Sequence, residues 1–548
     1  MRVSARQVPE FDLKTRRRHI DEHTKEVELF WMCMPVSRED LLETVRERAD
    51  EIGDTKYKEW RMDHIVNALQ IIFGGAQYKP GTNLWATKRY GCIQPPDFGR
   101  ILSHDRFSRI LRYWAKGPLD IDEEKATNPW AEVDWWITGF NERRKEEFIP
   151  GSRLTPDELM IAWTGPCGSG GIPHLSFVAR KPDPLGSEFK CICDGSTGIL
   201  LHIELQKGKR IMRRKKFGND FNATTACTLR MLDAVGVKET NLDENKKPHR
   251  AVTADSWFAS MNTAVALKEK LGVHFCGPIK TAHADFPAEA LRWALVGKER
   301  GSHVVFKDKD RDLWAIGWSD HHYKLYLTTH GVTTPGEVAM KKRQRRDGRN
   351  YHIQIPRPSQ VEDYAKEMGW VDRHNRFRQD IIGLSKVWRT KKWQTRLQLD
   401  FLSMAMVDAF LLAKKFHPKW AGNPGRKTKV SELWSFIETV LPQLGDNNLN
   451  ESSLPSMKCV QVPIGKRKVE EGKLKGTLST KQQRCVYCRK AGRKEKRKDG
   501  TFGTKTPRTS YTCIAHPQLW TCHSATGTCW AEHVQECKAM DDYADFAI

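Results

Sequence analysis

From Ser152 the chain is written in short β-branched or aromatic runs separated by glycine turns: "LSFVAR", "FKCICDGSTGILLHIEL", "RAVTADSWF" and "GVHFCG". Such runs read as the strands of a sheet. Between "RAVTAD" and "GVHFCG" lies "SMNTAVALKEKL", a helical stretch, so strand, helix and strand follow in order as in an α/β unit. Asp255 falls where the first of these strands ends, and in open α/β sheets functional groups collect at the carboxyl ends of strands. A second acid, Asp157, stands in "SRLTPDELMIAWTG" (Ser152 to Gly165), which reads in two ways. Thr155, Pro156 and Glu158 spell a capping box at a helix start, while Leu159 to Thr164 could equally be a strand. The turns at Gly165-Pro166 and Gly168-Ser-Gly-Gly171 end either element.

Helical texture brackets this region. Val36 to Phe73 alternates acidic, basic and apolar residues at helical spacing, and "LSHDRFSRILRYW" (Leu102 to Trp114) predicts an amphipathic helix carrying Arg106, Arg109 and Arg112 on a solvated face. His303 to Leu327 returns to alternating strand patterns, "MKKRQRRDGR" closes them as a basic loop, and Glu362 to Phe416 is helical again until "HPKWAGNPGRKTK" breaks it. At 548 residues the chain exceeds one ordinary core, so several domains are expected, and no solenoid repeat is apparent. Lys plus Arg number 91 against 68 Asp plus Glu, a formal charge of +23 that favours a polyanion, nucleic acid first. The longest apolar stretch, Phe401 to Ala413, is interrupted by Asp408 and is too short to span a bilayer, and "MRVSARQVPEF" has no apolar signal region. The expectation is a soluble intracellular protein with no membrane partner.

Of 14 cysteines, eight are scattered from Cys33 to Cys459, which suits reduced thiols. The other six crowd together with histidines as Cys485-x2-Cys488-x24-Cys513-x2-His516-x5-Cys522-x6-Cys529-x3-His533-x3-Cys537. Eight ligands are what two closed tetrahedral Zn²⁺ sites require, and disulfides do not suit an intracellular chain. The long gap and the spare His523 leave the pairing open; Cys485 with Cys488 in one site and Cys513 with His516 in the other is the expected division. From Lys458 to Arg508 there are 17 Lys/Arg against four Asp/Glu, a linker suited to phosphate tracking or nuclear import as well as to plain solvation. Trp388 and Trp393 lie among Arg389, Lys391, Lys392 and Arg396, a pattern that can stack on unpaired bases or simply pack a core.

Singly, the acids have ordinary explanations: Asp255 as the cap of a helix starting at Ser256, Asp157 in its capping box, Asp372 paired with Arg376. Their contexts, "LTPDELMIAW", "KPDPLGSEFK", "VTADSWFAS" and "GWVDRHNRFR" followed by "WRTKKWQTRLQLDFLSMAMVDAFLL", together resemble in order the core of the piggyBac family of DNA transposases and their domesticated relatives. "ILSHDRFSRILRYW" resembles the helix that precedes the family's catalytic core, and coverage runs from about residue 36 to 420 and resumes in the cysteine cluster. The resemblance implies an α/β fold: an RNase H-like catalytic core with an insertion, a helical N-terminal domain and a C-terminal cross-braced zinc domain. It divides the chain into a tail (1–35), a helical DNA-binding and dimerisation domain (36–150), the core's first part (151–270), the insertion (271–355), the core's second part (356–420), a basic linker (421–483) and the zinc domain (484–548). It places Asp157 on the first strand of the core, which decides the reading of "LTPDELMIAW" in favour of the strand.

The same resemblance makes Asp157, Asp255 and Asp372 the catalytic, Mg²⁺- or Mn²⁺-holding acids, and marks Trp393, with Arg389, Lys391 and Lys392, as DNA-contacting. It implies cut-and-paste transposition of element ends at TTAA targets, by a homodimer on double-stranded DNA in the nucleus; the alternative is a domesticated DNA- or chromatin-binding protein. Hard carboxylate oxygens suit Mg²⁺, and in-line displacement at phosphorus needs charge stabilisation more than a protein nucleophile. Two departures stand out. Relatives often carry a fourth acid three residues after the third, where this chain has Asn375, and the segment ahead of residue 36 is shorter than theirs.

Overall fold

The computed structural model describes residues 10–445, apart from 15–19, 58, 89–94, 169, 238–249, 282, 284, 331–333 and 423–428, and beyond 445 only short strands. Residues 1–447 and 448–548 form two separate compact units.

The first unit opens with helices, among them Glu26–Cys33, Arg38–Glu51, Met62–Gly75, His104–Lys116 and Ala131–Glu147. Ser37 and Ser103 each cap the helix that follows by accepting a hydrogen bond from a backbone N–H three residues on, of Asp40 and Arg106. The arginines of His104–Lys116 are not all solvated: Arg109 binds Asp54 and Asp105, and Arg106 lies 4.1 Å from the centre of the Tyr57 ring, while Arg112 stays exposed.

The sheet is mixed. Its main strands are β1 (Arg153–Ala162), β2 (Leu185–Asp194), β3 (Leu200–Leu205), β4 (Ala251–Thr253), β5 (His274–Pro278), β6 (His303–Lys307), β7 (Trp314–Ser319) and β8 (Tyr323–Thr328), in spatial order β3-β2-β1-β4-β5-β8-β7-β6, and the two-residue strand Ser176–Phe177 also pairs with the start of β2. β2 lies between β1 and β3 and runs antiparallel to both, β4 and β5 run parallel to β1, and β8 returns antiparallel on β5. The helix Met261–Leu271, capped by Ser260 and closed by Gly272 at φ 62°, makes the crossover from β4 to β5. Strands from 303–328 therefore continue the same sheet rather than standing apart from it. The segment read as a basic loop is a hairpin, Ala339–Gln344 paired with Asn350–Ile355, because Asp347-Gly348 supplies the turn.

After the hairpin come helices Ser359–Glu367 and Gly369–Asn375, a π-helical turn Arg376–Ile382, and the 24-residue helix Trp393–Phe416. This last helix is buried from Leu397 to Ala413 and packs on the N-terminal helices and on β1, so its polar residues must find partners inside. They do: Gln398 donates to the Trp114 carbonyl, Asp400 pairs with Arg378, and Asp408 pairs with Arg144 at 2.7 Å. No helix among the described residues is long and apolar enough to cross a membrane. In the second unit, Tyr511–Cys513 pairs antiparallel with Gln461–Pro463 and Trp520–Thr521. Cys513 ends a strand there; Cys485, Cys488, His516, Cys522, Cys529, His533 and Cys537 lie outside the described residues, as does most of the linker.

Candidate active site

β1 and β4 pair only through Arg153–Leu154 and Ala251–Val252 and then part. Beyond that pairing Pro156 costs the sheet no ladder bond to β4, and the acids gather where the strands separate. Asp157, opposite Cys191 on β2, is 8% exposed, and its Oδ1 accepts the Glu158 N–H at 2.8 Å. Asp255 stands two residues past β4. Its Oδ1 accepts the Trp257 N–H and its carbonyl accepts those of Phe258 and Ala259, so it heads a turn, and the helix expected at Ser256 starts instead at Met261. One carboxylate oxygen from each of Asp157, Glu158 and Asp255 lies within 4.8 Å of the others.

Asp372 arrives on the helix Gly369–Asn375, which packs on β1. It is exposed, and among the described residues its carboxylate has no ion pair; the pairing with Arg376 is not made. Its charge reaches the cluster nonetheless. Burial, and then the charges of Glu158, Asp255 and Asp372, push the Asp157 carboxyl up from 3.8 to about 7. The charges of Asp255 and Asp372, both distant in sequence, thus bear on Asp157, together with that of its neighbour Glu158.

Glu158 was not singled out from the sequence, because strand alternation turns its side chain away from that of Asp157. The Asp-Glu doublet was the only available signal. Its carboxylate is 2% exposed, with Lys181 and Lys190 each 3.6 Å away and Arg180 in contact, and its Oε2 is buried without a hydrogen bond. Arg180 also comes to 3.9 Å from Asp255, and the Lys190 ammonium sits 3.5 Å over the Trp257 ring. Close oxygens, an elevated carboxyl and a buried oxygen without a hydrogen bond fit a hard divalent cation.

The third acid's helix is held by side chains. Arg378 donates to the Asn375 Oδ1 and the Met160 carbonyl, each at 3.1 Å, and pairs with Asp400; Gln379 donates to the same carbonyl at 2.6 Å. His374 faces Asp408 at 3.1 Å, which also accepts the Leu200 N–H and pairs with Arg144. The π turn that delivers Arg378 and Gln379 ends at Gly383, φ 58°; wide turns of this kind recur at functional sites. Trp393 is 6% exposed, with its ring 5.3 Å from that of Trp130, so no base can stack on it in this conformation. Arg389, Lys391 and Lys392 beside it are exposed.

Residues 61–410 match the family model described as Transposase IS4. No curated protein matches the chain. Among solved structures, the fold is similar to that of a piggyBac transposase in a synaptic complex with hairpin DNA, with a TM-score of 0.55 and 16% identity over 79% of this chain and 84% of that one.

Proposed function

Because the chain belongs to the IS4 transposase family, we propose that it is a piggyBac-like transposase whose Asp157, Asp255 and Asp372 carry metal-dependent strand cleavage and transfer. The observation that carries this reading is the clustering of Asp157 and Glu158, from β1, with Asp255, from the end of β4, beside the Gly369–Asn375 helix that packs on β1 and carries Asp372. The order β3-β2-β1-β4-β5, with the last two strands parallel to β1, supports an RNase H-like core. Asp157 and Asp255, with Glu158 beside them, would hold Mg²⁺ or Mn²⁺, and Asp372 would complete the set from its helix. Bound there, the cation supplies electrostatic stabilisation of the charge that develops at phosphorus. The protein's own part is to hold several carboxylates together against their repulsion and to position the DNA strand beside them.

The substrate in this reading is double-stranded DNA, element ends and TTAA targets, handled by a nuclear homodimer whose residues 484–548 bind two Zn²⁺. The second reading, a domesticated DNA- or chromatin-binding protein, draws on one observation: Asn375 stands where relatives often carry an acid, and its oxygen is already engaged by Arg378.

Asp255→Asn separates them. On a labelled duplex bearing the ends that flank the gene and a TTAA, with Mg²⁺, the wild type should cleave and the variant should lose at least about 100-fold in rate, as expected when one charge-stabilising group is removed. Gel-shift affinity should stay within a few-fold. Undiminished cleavage by the variant removes Asp255 from the site; an inactive wild type that still binds supports the domesticated reading.

A further inference from the structure

The hairpin Ala339–Ile355 is anchored at its base, where Ala339 and Ile355 are buried with Ile316, Trp318, Tyr326 and Val361 and Ile353 packs beside them. Beyond these its two strands pair with each other and project. Between 339 and 355 stand six Lys/Arg and one acid. Lys341 is committed to Asp320, and Arg349 to Asp347 across the turn, but Lys342, Arg343, Arg345 and Arg346 have no carboxylate within 4 Å among the described residues. Arg345 instead lies 5.6 Å from the centre of the Tyr351 ring, and Gly348, at φ 81°, tightens the turn so that Arg345 and Arg346 stand at the tip.

Register sorts the side chains. Lys342 faces His352 and Gln344 faces Asn350, all exposed, so one face of the ribbon is a continuous row of hydrogen-bonding groups with no apolar residue before Met340. Leaving so many cations unpaired in a chain of +23 costs self-repulsion. A surface of this kind is complementary to phosphates. Six residues per strand extend about 20 Å, and a two-stranded ribbon fits the major groove of B-form DNA, about 12 Å wide.

We propose that this hairpin is a duplex-DNA arm: Lys342, Arg345 and Arg346 grip phosphates while the row of Gln344, Asn350 and His352 faces the groove. The arm rests on the DNA-acting reading above but not on its catalytic acids.

The test uses the full chain and a fluorescent 30-base-pair duplex of arbitrary sequence, with anisotropy titrations at several KCl concentrations. Lys342→Gln/Arg345→Gln/Arg346→Gln should lower the slope of log affinity against log salt by about 2 to 3, and weaken binding on the order of 100-fold at 0.15 M, the loss expected for three phosphate contacts. A control triple, Lys145→Gln/Lys270→Gln/Lys415→Gln, removes the same charge from exposed positions on three separate helices. Its slope should change by less than about 1. Arg345→Lys/Arg346→Lys, which keeps the charge, should keep the wild-type slope, showing that a loss in the Gln triple is not misfolding. Equal losses in the two Gln triples, or an unchanged slope in the first, overturn the proposal. So does intact duplex binding together with lost binding of polyglutamate, which would make the arm a protein contact. Asp255→Asn should bind this duplex like the wild type, so a failed arm and a failed catalytic site are told apart.

Discussion

In the proposed site Asp157 and Asp255 are placed by backbone, whereas Asp372 is placed by side chains. Asp157 stands within the antiparallel ladder of β1 and β2 and Asp255 just past the parallel pairing of β4 with β5, where ladder hydrogen bonds fix Cα positions before any side chain is chosen. The third stands on a seven-residue helix too short to be stable by itself, held in place by Arg378, Gln379 and His374 reaching to Met160, Asp400 and Asp408. Strand-borne acids should therefore tolerate changes in neighbouring side chains, and the helix-borne acid should not. The difference also sorts the electrostatics: Asp157 is buried, which makes its ionisation costly, while Asp372 stays in solvent.

The largest effect expected from this contrast is at Asp408, which joins Arg144, His374 and the Leu200 N–H inside the protein. Asp408→Ala leaves a buried guanidinium without its carboxylate and should cost about 3–5 kcal/mol. Chemical unfolding read by tryptophan fluorescence measures it. A loss below about 1 kcal/mol would mean that this network does not hold the third acid's helix, and the contrast would fail at its weaker side.

The strand-borne side is tested by pH. Folding raises the Asp157 carboxyl from 3.8 to about 7, so between those values the native chain keeps a proton that the unfolded chain has released. Stability must then fall as pH rises from about 4 to 7 and stay low above it, by up to about 4 kcal/mol if the full shift is expressed. Asp157→Asn abolishes this dependence. In a chelator its unfolding free energy should exceed that of the wild type by about 2–4 kcal/mol at pH 8 and match it near pH 4. Adding Mg²⁺ at pH 8 should raise the melting temperature of the wild type and not of the variant. Identical pH profiles would show that Asp157 carries no such burden.

How much of this could be read from the sequence follows the same division. The strand before Asp255 was legible because β-branched runs and glycine turns are local signals, and the crossover helix between β4 and β5 was bounded by Ser260 and Gly272; the strand carrying Asp157 was locally ambiguous with a capping box and was decided only by the resemblance of its motif. The partners of Asp372 were not legible: Arg378 finds Asp400 and Met160 through folding, and nothing local says so. Trp393 illustrates the same limit, since the ring that covers it belongs to Trp130, on a distant helical segment. The hairpin was half legible. Asp347-Gly348 marked its turn, but the charged run Lys341-Lys342-Arg343 on one strand and the polar residues of the other hid the alternation that Ala339, Ile353 and Ile355 would otherwise display. Glu158 escaped because strand periodicity assigns it to the other face, and only the length of its side chain brings an oxygen back to the cluster.

The smallest effect, and the finest test, is at Asn375. Its Oδ1 accepts from Arg378 at 3.1 Å, and that guanidinium already pairs with Asp400, so the position where relatives often carry an acid is here a strut for the helix bearing Asp372. Asn375→Asp exchanges a neutral acceptor for a charged one at the same guanidinium. The gain from a stronger hydrogen bond is offset by partial burial and by repulsion from Asp400, so stability should change by less than about 1 kcal/mol. If the new carboxylate stays on Arg378, the Mg²⁺ concentration giving half-maximal cleavage should stay within about two-fold of wild type. Combining the change with Arg378→Gln frees that carboxylate, and only then should the Mg²⁺ requirement fall; the double variant should also lose stability, because Asp400 is left buried without its cation. A lowered requirement in Asn375→Asp alone would mean that the helix yields to the metal rather than to Arg378, and that the third acid is less dependent on its side-chain scaffold than the contrast with Asp157 and Asp255 requires.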